Sequence, residues 1–134
     1  MAKHNKIGEI GEDIASYWLA GHKYSIIKRN YRKKYGEIDI IARCTEGKVH
    51  FVEVKTVSYE TKSKLDYAVT HETWRPEEMV HLHKQTRFKR VIETWLLEND
   101  PNYKFEWQVD LITLRLIEKE QYAKIKFFED LIFE

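Results

Sequence analysis

Two apolar runs, GEIDIIA at 36 to 42 and KVHFVEVK at 48 to 55, stand either side of the short segment Cys44-Thr45-Glu46-Gly47-Lys48. No other feature of the chain constrains its fold as tightly. Both runs are rich in strand-forming residues, and a three-residue loop ending in glycine is a common hairpin closure, with the glycine in the left-handed position. Closing the hairpin between Cys44 and Lys48 sets one register: Ile41 opposite Phe51, Asp39 opposite Glu53, and Glu37 opposite Lys55. Side chains two apart on a strand share a face. The register therefore gathers Glu37, Asp39, Glu53 and Lys55 on one face. It leaves Ile38, Ile40, Val52 and Val54 on the other, as core.

Two carboxylates directly opposite each other repel, at a cost on the order of several tenths of a kcal/mol even when solvated. Three arrangements relieve the repulsion: one carboxyl keeps its proton, Lys55 neutralises the pair, or a divalent cation sits between them. Mg²⁺ is usually held by one or two carboxylates together with waters and phosphate oxygens, which is the donor set this face offers. A lysine beside it is placed to orient or deprotonate an attacking water, or to stabilise charge at phosphorus. A solvated strand face explains "EVK" taken alone; an aspartate in matching register on the neighbouring strand weakens that explanation.

The rest of the chain surrounds the hairpin with helices and further strands. Ile7, Ile10, Ile14 and Trp18 form a helical stripe over residues 6 to 20, with Gly11 and Ala15 beside it, and Gly21 helps to end the helix. Residues 24 to 32 predict a strand that becomes strongly basic. Residues 56 to 76 show no clear period and predict an excursion over the surface. Helical period returns over 77 to 98 through Met79, Phe88, Val91, Ile92, Trp95 and Leu96, and Asn99, Asp100 and Pro101 stop it. Residues 103 to 116 and 122 to 133 are strand-like. That order predicts an α/β or α+β domain with a central mixed sheet, in one domain over 1–134. One cysteine excludes an internal disulfide, and no stretch approaches the 18 apolar residues of a membrane span, so a cytoplasmic protein is expected.

Several further residues carry chemical potential. Lys28, Arg29, Arg32, Lys33 and Lys34 put five basic residues in seven, interleaved with Tyr31, directly before Gly36-Glu37. Such a segment beside a metal site would hold a phosphate backbone, although a charged edge strand reads the same way. Lys84 continues the stripe of Phe88, Val91 and Trp95, so it either reaches the polar face of the sheet or snorkels past the core. Glu12 lies at the margin of the first helix's apolar stripe. His81 and His83 are two apart and do not share a helix face, which argues against a zinc pair. Cys44 has no second thiol and no obvious base in the sequence, and reads as structural.

Together, Gly8-x-x-Gly11-Glu12-x-x-Ala15-x-x-Trp18-Leu19, "RNYR" at 29 to 32, "GEIDIIA" and "FVEVKT" resemble the YraN-like family of small, predicted endonucleases. The resemblance resumes at Lys84-Gln85-x-Arg87-Phe88 through Trp95-Leu96 and at "VDLITL", residues 109 to 114. That family is related to archaeal Holliday junction resolvases within the restriction-endonuclease-like superfamily. The resemblance implies a restriction-endonuclease-like central mixed β-sheet flanked by α-helices, and a Mg²⁺- or Mn²⁺-dependent DNA endonuclease acting on branched or single-stranded DNA. By the same resemblance Asp39 and Glu53 match the metal-binding acidic pair and Lys55 the catalytic lysine. Glu12 matches a first-helix glutamate that joins the site, Lys84 and Gln85 match a supporting helix position, and Glu37 fits the motif without a defined role. Resolvase-like enzymes often act as dimers, so a homodimer is a further expectation. The competing reading is a catalytically silent module that binds nucleic acid or a partner with the same fold. Two departures stand out: Lys23 occupies a position where the family has glycine, and Val57 follows "EVKT" where arginine is frequent.

Overall fold

The computed structural model describes residues 3–71 and 82–131. Helix α1 (Lys3–Gly21) leads into strands β1 (Ser25–Lys33), β2 (Gly36–Arg43) and β3 (Val49–Ser58). Helices α2 (Lys62–His71) and α3 (Leu82–Asn99) follow, then strands β4 (Trp107–Ile117) and β5 (Tyr122–Phe128), joined by a 3₁₀ turn at Glu118–Glu120. The strands form one sheet in the order β1-β2-β3-β4-β5. Every neighbouring pair is antiparallel except β3 with β4, which is parallel and needs the long connection that carries α2 and α3. The expected α/β fold, a mixed sheet flanked by helices, is what the chain adopts.

The sheet buries a different cluster on each face. Ile38, Ile41, Val49, Phe51 and Val109 pack beneath Phe88, Val91, Ile92 and Trp95 of α3. Ile40, Ala42, Val52, Ile112 and Leu114 pack beneath Ala15 and Leu19 of α1. The α3 stripe is the one read from the sequence. On α1 the fully covered line is Ile7, Gly11, Ala15 and Leu19, while Ile10, Ile14 and Trp18 are only half-buried. Small residues let the helix approach the sheet closely, and the larger side chains flank that contact. Helix α2 corrects the expectation of an irregular excursion over 56 to 76. Its sequence, KSKLDYAVTH, is mostly polar and buries Leu65, so it carries little periodic signal.

The end of α1 explains one departure from the family pattern. The Tyr24 N–H donates to the Leu19 carbonyl at 3.0 Å and the Lys23 N–H to the Ala20 carbonyl at 3.1 Å. These are the two bonds of a Schellman cap, and its left-handed residue is Lys23, at φ +69°. Glycine adopts that conformation without the steric cost a lysine bears. Lys23→Gly is expected to stabilise the protein by about 1 kcal/mol, read as a raised urea midpoint with unchanged slope.

Candidate active site

The hairpin closes as the loop chemistry dictates. The Cys44 N–H donates to the Lys48 carbonyl at 3.1 Å, the Gly47 N–H to the Cys44 carbonyl at 2.9 Å, and Gly47 sits at φ +92°. The β2–β3 ladder pairs Arg43 with Val49, Ala42 with His50, Ile41 with Phe51 and Ile40 with Val52, the register read from the sequence. The ladder stops there. Next along β2, the Asp39 carboxylate takes over: its Oδ2 accepts the Val54 N–H at 2.8 Å. The phase of β2 breaks at this point, and this corrects two expectations. Ile38 packs on the α3 side and not with Ile40. Glu37 does not face Lys55; it pairs across the other hairpin with Arg32, at 2.9 Å.

Asp39 and Glu53 nevertheless meet. Both are buried, and they share a hydrogen bond. Burial, then the charge of Glu53, pushes the Asp39 carboxyl up to about 8, against the bond from Val54 that favours its anion. The pair lines a cleft of about 190 Å³ together with Gly36, Glu37, Arg87 and Phe88. Gly36 lets α3 close over the hairpin, since a Cβ there would meet Val91 Cγ2 at 3.1 Å and Arg87 Cβ at 3.4 Å. Strand β3 becomes exposed just past Glu53, so the pair lies where the covered part of the sheet gives out.

Glu12 approaches from α1. Burial raises its pKa, the nearby Arg29 opposes this, and the charges of Glu37 and Glu53 add to the rise. It thus shares the field of the acidic group without lining the cleft, and Glu12 in turn raises Asp39. Among the described residues no three His, Cys, Asp or Glu side chains lie close enough together to wrap a metal ion. Lys55 is exposed two residues beyond Glu53. Gln85 is half-buried on α3; the Lys84 side chain, like His81 and Met79, lies outside the described residues. Arg87 stands within the quoted α3 motif, yet sequence reasoning assigned it no role; its place in the cleft follows only from how α3 packs.

The basic segment lies on edge strand β1. Lys28 and Lys34 are exposed. Arg29 pairs with Asp13 at 2.8 Å, Arg32 with Glu37 at 2.9 Å, and Lys33 with Glu98 at 3.3 Å. Tyr31 also donates to Glu98, pinning the strand end to α3.

A second polar group, at the other end of the hairpin, escaped the sequence reading. His50 Nδ1 lies 2.6 Å from Asp110 Oδ2, and Cys44 is hydrogen-bonded to His50. The thiol therefore has a base, supplied by β3 and held by β4, which corrects the reading of Cys44 as lacking one. No local pattern marks a partner sixty residues away.

The model of the uncharacterised protein family UPF0102 matches residues 11–114. A UPF0102 protein of Caldicellulosiruptor bescii is 30% identical over 125 residues, covering 93% of this chain and 95% of its own. One from Alkaliphilus oremlandii is 38% identical over 122 residues, covering 87% and 91%. One from Leifsonia xyli is 41% identical over 95 residues, covering 71% and 70%. Among solved structures, Pyrococcus furiosus SfsA in complex with Ca²⁺ superposes with a TM-score of 0.39 at 14% identity, covering 94% of this chain and 63% of that one. No described helix is long and apolar enough to cross a membrane.

Proposed function

The chain belongs to the uncharacterised protein family UPF0102, the YraN family, and from that footing we propose that it is a divalent-metal-dependent endonuclease that hydrolyses DNA phosphodiesters. The observation that carries this reading is the buried, hydrogen-bonded Asp39–Glu53 pair lining a cleft. Burying two carboxyls against each other is costly for the fold and is the mark of a site used for something else.

The donor set fits Mg²⁺ or Mn²⁺. Asp39 and Glu53 would hold the ion, with waters and a substrate phosphate completing its shell and Glu12 supporting from outside. Such an ion, when bound, polarises a phosphoryl oxygen and offsets charge at phosphorus. The chain's own residues do the rest. The Val54 N–H fixes the Asp39 carboxylate in place, as an outer partner of a ligand does. Lys55, exposed beside the pair, positions the attacking water or meets the developing charge. Arg87 lines the cleft, and a guanidinium is a group suited to phosphate. Lys28 and Lys34 meet the backbone. The three paired cations of β1 join them, because exposed ion pairs are worth roughly 0–1 kcal/mol and yield to phosphate. On a four-way junction a homodimer would place two such clefts.

Plasmid, single-stranded and four-way-junction DNA incubated with Mg²⁺ or Mn²⁺ test this reading. Cleavage should fall by about 10²-fold in Lys55→Met, and at least as far in Glu53→Gln. Equal cleavage by wild type and both variants would mean a contaminant and would sink the catalytic reading. DNA binding that needs no metal and leads to no cleavage would favour the silent binding module, the reading that the net charge of +1 otherwise supports.

A further inference from the structure

Cys44 opens the β2–β3 loop, at the opposite end of the hairpin from Asp39 and Glu53. His50 pairs with Ala42 across the ladder, so Cys44, two residues further on, is its diagonal neighbour. His50 is buried, and its Nδ1 is taken by Asp110 at 2.6 Å. Asp110 is itself fully buried and also accepts from Gln108 Nε2 at 2.7 Å and from the Asp130 N–H at 2.9 Å. That carboxylate is thus held by three partners, and the imidazole is one of them. Asp110 thus orients the ring and favours its protonated form, leaving the other ring nitrogen for the thiol. Tyr24 packs edge-on against the imidazole at 5.0 Å. The sulfur also accepts the backbone N–H groups of Glu46 and Lys48 in the loop.

We propose that Cys44 is a nucleophilic thiolate, paired with a His50 imidazolium held by Asp110, and that it is a site of modification by small soft electrophiles, hydroperoxides among them. This is the nucleophile–base–orienter arrangement, built on two strands and a hairpin loop. Cys44 is half-buried, so the reagents in question are small ones. With a hydroperoxide the thiolate attacks the outer peroxide oxygen. An S–O bond forms and the O–O bond breaks, sulfur loses two electrons to the peroxide, and the departing alkoxide or hydroxide takes a proton from the imidazolium. The product is a sulfenic acid, and with one cysteine in the chain it has no internal thiol to condense with.

The charges around the pair act in a consistent direction. Burial pushes the thiol up; the bonds from His50 and from the Glu46 and Lys48 N–H groups outweigh it and bring the thiol below its ordinary value. Burial pushes His50 down, and Asp110, with Cys44, outweighs that too. Among the described residues, the other titratable groups at the cluster are Tyr24, which faces the imidazole and feels Glu129, Glu46 and Lys48 beside the sulfur, and Asp130 beside Asp110.

The pH profile of iodoacetamide alkylation of the full chain, followed by intact mass, tests the proposal. The native wild type should show its rate midpoint below that of glutathione measured alongside, and the same protein in urea should return to the glutathione midpoint. His50→Gln, where folded by circular dichroism, should lift the native midpoint to or above the glutathione value. Native protein treated with hydrogen peroxide and dimedone should gain one adduct, absent in Cys44→Ser. A native midpoint equal to that of glutathione, or no alkylation of the native thiol below pH 9, would overturn the proposal whatever the variant does.

Discussion

Asp39→Asn should stabilise the metal-free protein at pH 8 and, at the same time, abolish metal-dependent cleavage. The sign of the stability effect follows from the carboxyl's environment. Burial and the charge of Glu53 hold the folded-state value near 8, well above the ordinary 3.8. Between those values the folded chain holds a proton that the unfolded chain has lost, so wild-type stability falls as pH rises from about 4 to 8. Asparagine carries no charge at any of these values and keeps a carbonyl oxygen for the Val54 N–H. The variant should therefore match wild type near pH 4 and exceed it by roughly 1–3 kcal/mol at pH 8, in urea melts with a chelator present. A stability gap that does not change with pH would contradict this account of the pair. Cleavage should drop on the order of 10³-fold, since losing a metal ligand forfeits several kcal/mol of charge stabilisation. Gain of stability with loss of activity separates a functional carboxylate from a structural one.

Gly11→Ala should be the most damaging single methyl in the chain. A Cβ at residue 11 would stand 1.8 Å from Thr56 Oγ1, 2.8 Å from Thr56 Cβ and 3.0 Å from Thr56 Cγ2. Helix α1 must move off β3, which undoes the contacts of Ala15 and Leu19 with the sheet and carries Glu12 away from the acidic pair. Overpacking of this depth costs about 3 kcal/mol or more, roughly 10 °C in Tm for a domain of this size. Thr56→Ala in the same background removes the hydroxyl and methyl contacts but leaves the 2.8 Å one, so it should restore part of the loss. Gly8→Ala is the control: nothing lies within 4 Å of its Cβ position, and alanine should raise helix stability by roughly 0.5–1 kcal/mol. Equal effects at the two glycines would show that helix propensity, not the contact with Thr56, decides.

These residues also show what the sequence reveals and what it conceals. The hairpin register was legible because a period of two and a glycine-closed loop leave one alignment. The α3 stripe was legible because large apolar residues mark the buried face. On α1 the same rule misled: Gly11 and Ala15 have little hydrophobic weight, yet close approach requires small residues, so the covered face ran one position over. Helix α2 was invisible because Leu65 is the side chain it buries. The turn of β2 at Asp39 depends on a carboxylate replacing a ladder bond, which no propensity encodes. His50 and Asp110 are brought together by the parallel β3–β4 pairing, a contact of high sequence separation, and the hairpin adds Cys44. Lys23 is the instructive case: the sequence flagged a missing glycine, and the left-handed backbone there gives the reason.

Calorimetric titration with Mn²⁺ at pH 7 tests the central claim most directly, in two buffers of different ionisation enthalpy. Wild type should bind through Asp39 and Glu53 and release protons as it does so, because the proton that Asp39 holds up to about pH 8 must leave before both carboxylates can hold a cation. Glu53→Gln, folded by circular dichroism, should lose that binding and its proton release. Wild type that takes up no Mn²⁺, or Glu53→Gln that binds it unchanged, would contradict the assignment of this pair as the metal site.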